Sequence, residues 1–204
     1  MGLIIPIGQW VLEEACRQLG VWQAQHPEAV DLSMAVNISR KQLSDPQLVA
    51  HLRRTIEATG VRPELLKLEI TENVIMEHID TSALETLAQI KATGALLAMD
   101  DFGTGYSSLS CLHKFPLDVL KLDRSFVADM GRKRDASAVV SGVVMLAHNL
   151  GLTVVAEGLE KPEQVAFLQA LNCDIGQGYI FSKPLPADRA EQYILSSHQY
   201  AKSA

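Results

Sequence analysis

The feature of this 204-residue sequence that most constrains its fold is a rhythm. Short, mostly apolar segments alternate with amphipathic stretches that open on a capping residue or proline and often close at a glycine. The apolar segments fall at residues 32–36, 65–70, 95–99, 119–122, 152–156 and 174–181, and they read as strands. The amphipathic stretches between them read as helices. The opening one, residues 7–23, spaces Trp10, Val11, Leu12, Ala15, Cys16, Leu19 and Trp22 as one broad helical face. Later helices start at Asp45-Pro46, Asp80, Asp135, Pro162 and Ala187, and Gly60, Gly94 and Gly151 mark three helix ends. Repeated strand–helix units with apolar strands predict an α/β fold, a parallel sheet covered by helices. A doubly wound sheet and a barrel both fit that rhythm.

Composition narrows the function classes. A net charge of -6 argues against an extended basic surface, so neither DNA nor RNA is an expected partner. Cys16, Cys111 and Cys173 include no C-x-x-C pair, which leaves no zinc or disulfide framework and fits a reducing cytoplasm. No apolar run approaches the roughly 20 residues of a membrane span, so no membrane segment is expected. Glycine-rich nucleotide motifs of the Rossmann and P-loop kinds do not follow any predicted strand.

The chemistry collects at strand ends. Asn37, Glu69, the pair Asp100 and Asp101, Lys121 and Glu157 each stand at or just beyond the C-terminal end of a predicted strand, and Gln177 lies inside the last one. A single such residue is ordinarily a cap or a turn former. In a parallel barrel, however, all strand C-termini meet on one rim, where active sites are built. Asn37, Glu69, Asp100 and Asp101 are oxygen ligands suited to Mg²⁺ or Mn²⁺. Adjacent carboxylates at 100 and 101 repel each other unless cations lie between them. Lys121 adds positive charge for a phosphate or hydroxide. The residues alone therefore point to metal-dependent hydrolysis of a phosphate ester.

Six segments in order carry a family resemblance: Asn37-Ile38-Ser39-Arg40-Lys41-Gln42, Glu69-Ile70-Thr71-Glu72, Asp100-Asp101-Phe102-Gly103-Thr104-Gly105-Tyr106-Ser107-Ser108-Leu109, Leu120-Lys121-Leu122-Asp123, Glu157-Gly158-Leu159-Glu160 and Gly176-Gln177-Gly178-Tyr179. Through them the chain resembles the EAL family. The resemblance implies a TIM-barrel-like fold and hydrolysis of cyclic di-GMP to linear pGpG in bacterial second-messenger signalling. It implies a two-metal site of Mg²⁺ or Mn²⁺, with Asn37, Glu69 and Asp100 on one ion and Asp100 and Asp101 on the other. It implies catalytic roles for Lys121, Glu157 and Asp101, and substrate contacts from Gln177 and Glu160. Glu72 is implied to anchor a regulatory loop containing Phe102, Gly103, Thr104 and Gly105, whose glycines fit either a mobile lid or a simple turn. Further implications are a cytoplasmic homodimer and fusion to, or regulation by, a sensory or GGDEF domain. The alternative is a non-catalytic receptor for cyclic di-GMP or a protein-interaction module.

One part of the pattern is missing. No Glu-Ala-Leu triplet precedes Asn37. The whole chain, residues 1–204, is expected to be one EAL domain lacking its first two strands, about six of the eight in a complete barrel. That expectation removes one metal-binding glutamate and opens two sheet edges. It predicts impaired activity, and it predicts that apolar barrel residues such as Val36 and Leu68 lose partners.

Overall fold

The computed structural model describes residues 2–27, 30–77, 81–103, 112, 114–128, 130 and 134–201. Six strands form a single sheet: β1 (Met34–Asn37), β2 (Leu66–Thr71), β3 (Leu96–Phe102), β4 (Val119–Leu122), β5 (Thr153–Ala156) and β6 (Ile175–Gly176). Their spatial order equals their sequence order, and every neighbouring pair is parallel. This sequential, all-parallel order makes a half-barrel, and the doubly wound alternative falls away because the chain never reverses its direction of travel across the sheet.

The helices are α1 (Ile4–Gln25), α2 (Arg40–Leu43), α3 (Leu48–Thr59), α4 (Glu72–Glu77), α5 (Thr81–Lys91), α6 (Arg124–Ala128), α7 (Arg134–Asn149), α8 (Pro162–Ala170) and α9 (Ala187–Ala201). The short helices α2, α4 and α6 lack a repeating apolar period and are not legible from spacing. Gly60, Gly94 and Gly151 all adopt positive φ beyond helix ends, as the punctuation predicts. Asp45 does not begin α3 directly. Its carboxylate accepts the Gln47 amide at 3.0 Å one turn earlier. The expected Asp80 cap lies outside the described residues.

Strand alternation divides the core. Leu66, Leu68 and Ile70, then Leu97 and Met99, then Leu120 and Leu122, then Val154 and Ala156 face the helices and join one large apolar cluster. Val36 and Leu68 belong to this cluster and are buried, contrary to the expectation that they lose partners. The inner face instead carries the small cluster Ala98, Val119 and Val155. On α1 the buried stripe is narrower than the predicted face: Leu12, Cys16, Leu19 and Trp22 are buried, whereas Trp10 is 62% exposed.

At the N-terminal ends of the strands one device occurs twice. Asp118 accepts the Leu97 amide at 2.8 Å and pairs with Lys91 of α5 at 2.6 Å. Asp174 accepts the Val154 amide at 2.8 Å and pairs with His148 of α7 at 2.9 Å. Each pair locks a helix C-terminal turn to the base of a strand and so fixes the register of the opposite rim.

Candidate active site

A β-bulge creates the site. The β3–β4 register shifts between Met99 and Phe102, and Asp101 takes a left-handed backbone with φ 56°. In a regular strand, consecutive side chains point to opposite faces. The extra residue breaks that alternation, so Asp100 and Asp101 both serve the rim. With Glu157, just beyond β5, they form a group of three carboxylates whose oxygens lie within 4.8 Å of one another.

Lys121 stands beneath this group on β4. Its Nζ lies 2.7 Å from Glu157, 2.8 Å from Glu69 and 2.9 Å from Asp100. Burial alone would lower the ammonium's pKa. Hydrogen bonds to Glu157, Glu69 and Asp100 outweigh it and hold the pKa well above the ordinary lysine value. Burial pushes the Asp101 carboxyl up, and Asp100 and Asp123 push it further against the opposing charges of Lys121 and Arg124. Burial also raises Glu157, with Lys121 opposing and Asp100 and Glu69 adding. The rim is thus overcharged with carboxylate for its single buried cation, and oxygen donors in that state suit a hard divalent ion.

The neighbouring residues extend the rim on both sides. Asn37 ends β1 in direct register with Glu69. Glu72 opens α4, is buried, and accepts the Gly103 amide at 2.5 Å. On the far side Arg124, Gly158, Glu160, Gln177, Gly178 and Tyr179 line a cleft of about 220 Å³ that also touches Glu157. A larger hollow of about 460 Å³ lies between α1 and α3, lined by Trp10, Arg17, His51 and Arg54, and includes none of the carboxylates of the rim.

Comparison with known proteins identifies this arrangement. The family model described as the EAL domain matches residues 1–184. The chain belongs to the EAL domain family. The cyclic di-GMP phosphodiesterase NbdA of Pseudomonas aeruginosa is 40% identical over 194 residues, covering 95% of this chain and 24% of NbdA. The bifunctional diguanylate cyclase/cyclic di-GMP phosphodiesterase MucR of the same species is 41% identical over 189 residues, 92% of this chain and 27% of MucR. The chain therefore spans about a quarter of the length of the curated relatives it matches. The solved structure of PaMucR phosphodiesterase in complex with c-di-GMP superposes with a TM-score of 0.86 at 41% identity, over 93% of this chain and 75% of that one. The Klebsiella pneumoniae BlrP1 manganese/cyclic di-GMP complex superposes with a TM-score of 0.76 at 32% identity, over 87% of this chain and 45% of that one.

Within this EAL domain most of the sequence-predicted residues gather on one rim. Asp100, Asp101, Glu157, Lys121 and Glu69 are in mutual contact or one residue removed from it. Glu69 approaches through Lys121 and is not one of the three clustered carboxylates. Gln177 lies just past β6, not inside it. The expected strand over 174–181 shrinks to two residues because the chain turns after Gln177: the Phe181 amide donates to the Gly178 carbonyl at 3.1 Å and the Ile180 amide to the Leu159 carbonyl at 2.9 Å. Phe102, expected in the loop, is the last residue of β3 and is buried. Gly103 has φ 95° and begins the loop, while Thr104 and Gly105 lie outside the described residues. Arg124 and Tyr179, which the sequence analysis does not single out, also line the cleft beside Glu157. Among the described residues, no helix is long and apolar enough to cross a membrane.

Proposed function

We propose that this EAL domain hydrolyses cyclic di-GMP to linear pGpG, with divalent cations, Mg²⁺ or Mn²⁺, held as a pair by Asn37, Glu69, Asp100 and Asp101 and completed by Glu157. The carrying observation is the bulge that turns two consecutive aspartates onto the rim, beside Glu157, with their oxygens within 4.8 Å. The chemistry of the donors fits such ions: all are oxygen ligands, and two of the carboxyls carry raised pKa values that a cation would relieve. Bound divalent ions would supply a water of lowered pKa and charge stabilisation at the phosphodiester.

The chain's own residues set the rest. Lys121, in contact with Glu69, Asp100 and Glu157, orients the attacking water or helps to activate it. Glu72 holds the Gly103 amide and thereby the residues directly after the bulge. Gln177 and Glu160 contact substrate from the adjoining cleft. In the reaction a water oxygen bonds to phosphorus and the bond from phosphorus to one ribose 3′ oxygen breaks, leaving a 3′ hydroxyl and a 5′ phosphate.

The relatives' names support this reading, and their greater length supports placing the domain in a larger cytoplasmic signalling protein with a sensory or GGDEF domain. A homodimer is part of the same proposal. So is the reading of residues 1–204 as one EAL domain, which the six-stranded sheet of the described residues supports. The test is to titrate the chain with Mn²⁺ and to follow cyclic di-GMP conversion to pGpG with and without EDTA. EDTA-sensitive conversion is expected, below that of the PaMucR phosphodiesterase. Binding of cyclic di-GMP without conversion would assign the chain to the receptor class, and binding of neither metal nor nucleotide would end the proposal.

A further inference from the structure

We infer that Gln164, which lies outside the carboxylate cluster, is a positioning residue: it holds the turn of residues 157–161 against α6 and so sets the spacing between the two segments that flank the cleft beside Glu157. The inference rests on the proposed cyclic di-GMP reading and adds to it a residue that keeps the cleft at its working width.

Gln164 is the third residue of α8. A glutamine in that position ordinarily reaches back to one amide, that of the N-cap residue. Gln164 does more. Its Oε1 accepts the Lys161 amide at 2.9 Å and also the Glu160 amide at 2.9 Å. Its Nε2 donates to the Val127 carbonyl of α6 at 3.0 Å. The side chain is only 7% exposed, so water does not compete for these bonds. One buried carboxamide therefore joins two segments that are far apart in sequence.

The cleft depends on how those segments are spaced. Arg124 lines it from the first residue of α6, and Glu160 lines it from the turn. Two contacts fix the distance between their backbones. Early in the turn, Gly158 has φ 71° and lies so close to α6 that a Cβ on it would strike the Cβ of Arg124. At the end of the turn stands Gln164. A hollow of about 350 Å³, lined by both residues, separates α6 from the turn. Its walls lack packing partners across the gap, which leaves the carboxamide to set the spacing at that end.

Glu157 does not depend on the same bond. Its amide donates to the Leu122 carbonyl at 3.1 Å, and its carboxylate contacts Lys121. The Leu159 amide donates to the Gln177 carbonyl at 3.0 Å. The start and middle of the turn are thus tied to β4 and to the segment after β6. Loss of Gln164 should displace Glu160 relative to α6 and leave Glu157 in place. A displacement of about 1 Å is enough to spoil a fitted site.

The experiment uses two variants of the chain. Gln164→Met keeps the length and removes all three bonds. Gln164→Glu keeps acceptors for the Glu160 and Lys161 amides, but it loses the donor to Val127 and sets a carboxylate oxygen against that carbonyl. Cyclic di-GMP binding is measured in Ca²⁺, and Mn²⁺ is titrated without nucleotide, each below the melting temperature of the variant. Both variants should bind cyclic di-GMP about tenfold or more weakly, as expected for buried groups left unpaired, with Mn²⁺ affinity at the wild-type value. Should Gln164→Met not fold, Gln164→Glu decides alone. Wild-type cyclic di-GMP affinity in Gln164→Glu would reduce Gln164 to a helix cap and overturn the inference. A parallel loss of Mn²⁺ and nucleotide affinity, or unfolding of both variants, would make it a general structural residue and overturn the inference as well. In each of these cases the proposed function stands. Failure of the wild-type chain to bind cyclic di-GMP would remove the proposed function and this inference together.

Discussion

The Glu72 carboxylate accepts the Gly103 amide at 2.5 Å and so ties the first residue of α4 to the residue after β3. Only Asp100, Asp101 and Phe102 separate that anchor from the straight part of the strand, so the hydrogen bond governs the bulge on which the carboxylate cluster depends. Glu72→Ala removes a buried, charge-assisted acceptor, a change worth roughly 1.5–3 kcal/mol locally. It should weaken Mn²⁺ binding without removing a ligand and speed amide exchange across residues 101–103. Wild-type exchange at Gly103 together with unchanged Mn²⁺ affinity would show that the anchor is dispensable.

Asp101 carries two properties that substitution can separate. Its φ of 56° suits Asn or Gly and opposes branched residues, and its charge is crowded by Asp100 and Asp123. Asp101→Asn keeps the backbone and removes the repulsion. The metal-free chain should melt at the same temperature or slightly higher, while its Mn²⁺ affinity falls. Asp101→Val should instead destabilise by about 1–2 kcal/mol, because a β-branched side chain is strained at positive φ. Thermal melts with and without Mn²⁺ separate the two effects, and a large loss of stability in Asp101→Asn would refute the account of the bulge.

Lys121 has three carboxylates around one buried ammonium. Replacing it with Met leaves those anions without their cation, and breaking a buried ion pair by removing one partner costs about 3–5 kcal/mol. Divalent metal should restore much of that stability by taking over the positive charge, while turnover stays low. A Lys121→Met variant that melts like the wild-type chain without metal, or hydrolyses cyclic di-GMP at the wild-type rate, would contradict the assigned role.

The order of the strands and helix ends was legible because the helix-facing side of each strand is apolar, as at Leu120 and Leu122, and because glycine is needed where φ turns positive at Gly60, Gly94 and Gly151. The convergence of Lys121, Glu157 and Asp100 followed from the rule that parallel strand C-termini share a rim. The bulge was not legible. Nothing in the letters Asp100-Asp101 says that the alternation breaks there, and an unbroken strand would have sent the two carboxylates to opposite faces. The truncated β6 was equally hidden, since the bond from the Ile180 amide to the Leu159 carbonyl is a tertiary contact between segments some twenty residues apart.

Acid should stabilise the empty site and oppose its metal. Asp101 and Glu157 have folded pKa values raised above their ordinary ones. Between the unfolded and folded values the native state binds more protons, so their contribution falls as pH rises through that window and is least unfavourable below it. Asp123 and Asp174, with lowered values, act in the opposite direction, so the total stability curve mixes both signs. The metal-dependent part reports on the carboxylates proposed to hold the ions, Asp101 and Glu157 among them. Mn²⁺ must displace protons from Asp101 and Glu157, so the melting-temperature increase it produces should be small in acid and grow toward neutrality. Titrations in buffers of different ionisation enthalpy should show proton release in the acidic range. A Mn²⁺ effect that is flat with pH would argue that these two carboxyls do not hold the ion.

The open sheet sets the association behaviour of residues 1–204. Within the described sheet, β1 and β6 have one neighbour each. Edge strands present unpaired amide and carbonyl groups that another chain can extend. The two edges are not equivalent. β6 has only two residues, and the turn that follows bends back onto Leu159, which makes it a poor template. β1 has four residues, and the inner-face side chains Ala35 and Asn37 are exposed while Val36 is packed against the helices. Self-association is therefore expected through β1, without loss of the helix-side core. Light scattering after size exclusion should show concentration-dependent oligomers of the purified chain. Ala35→Lys, which places a charge on the inner side of that edge, should shift the population toward monomer and leave the melting temperature nearly unchanged. A wild-type chain that stays monomeric at every concentration, or oligomers indifferent to Ala35→Lys, would show that β1 is not the associating edge.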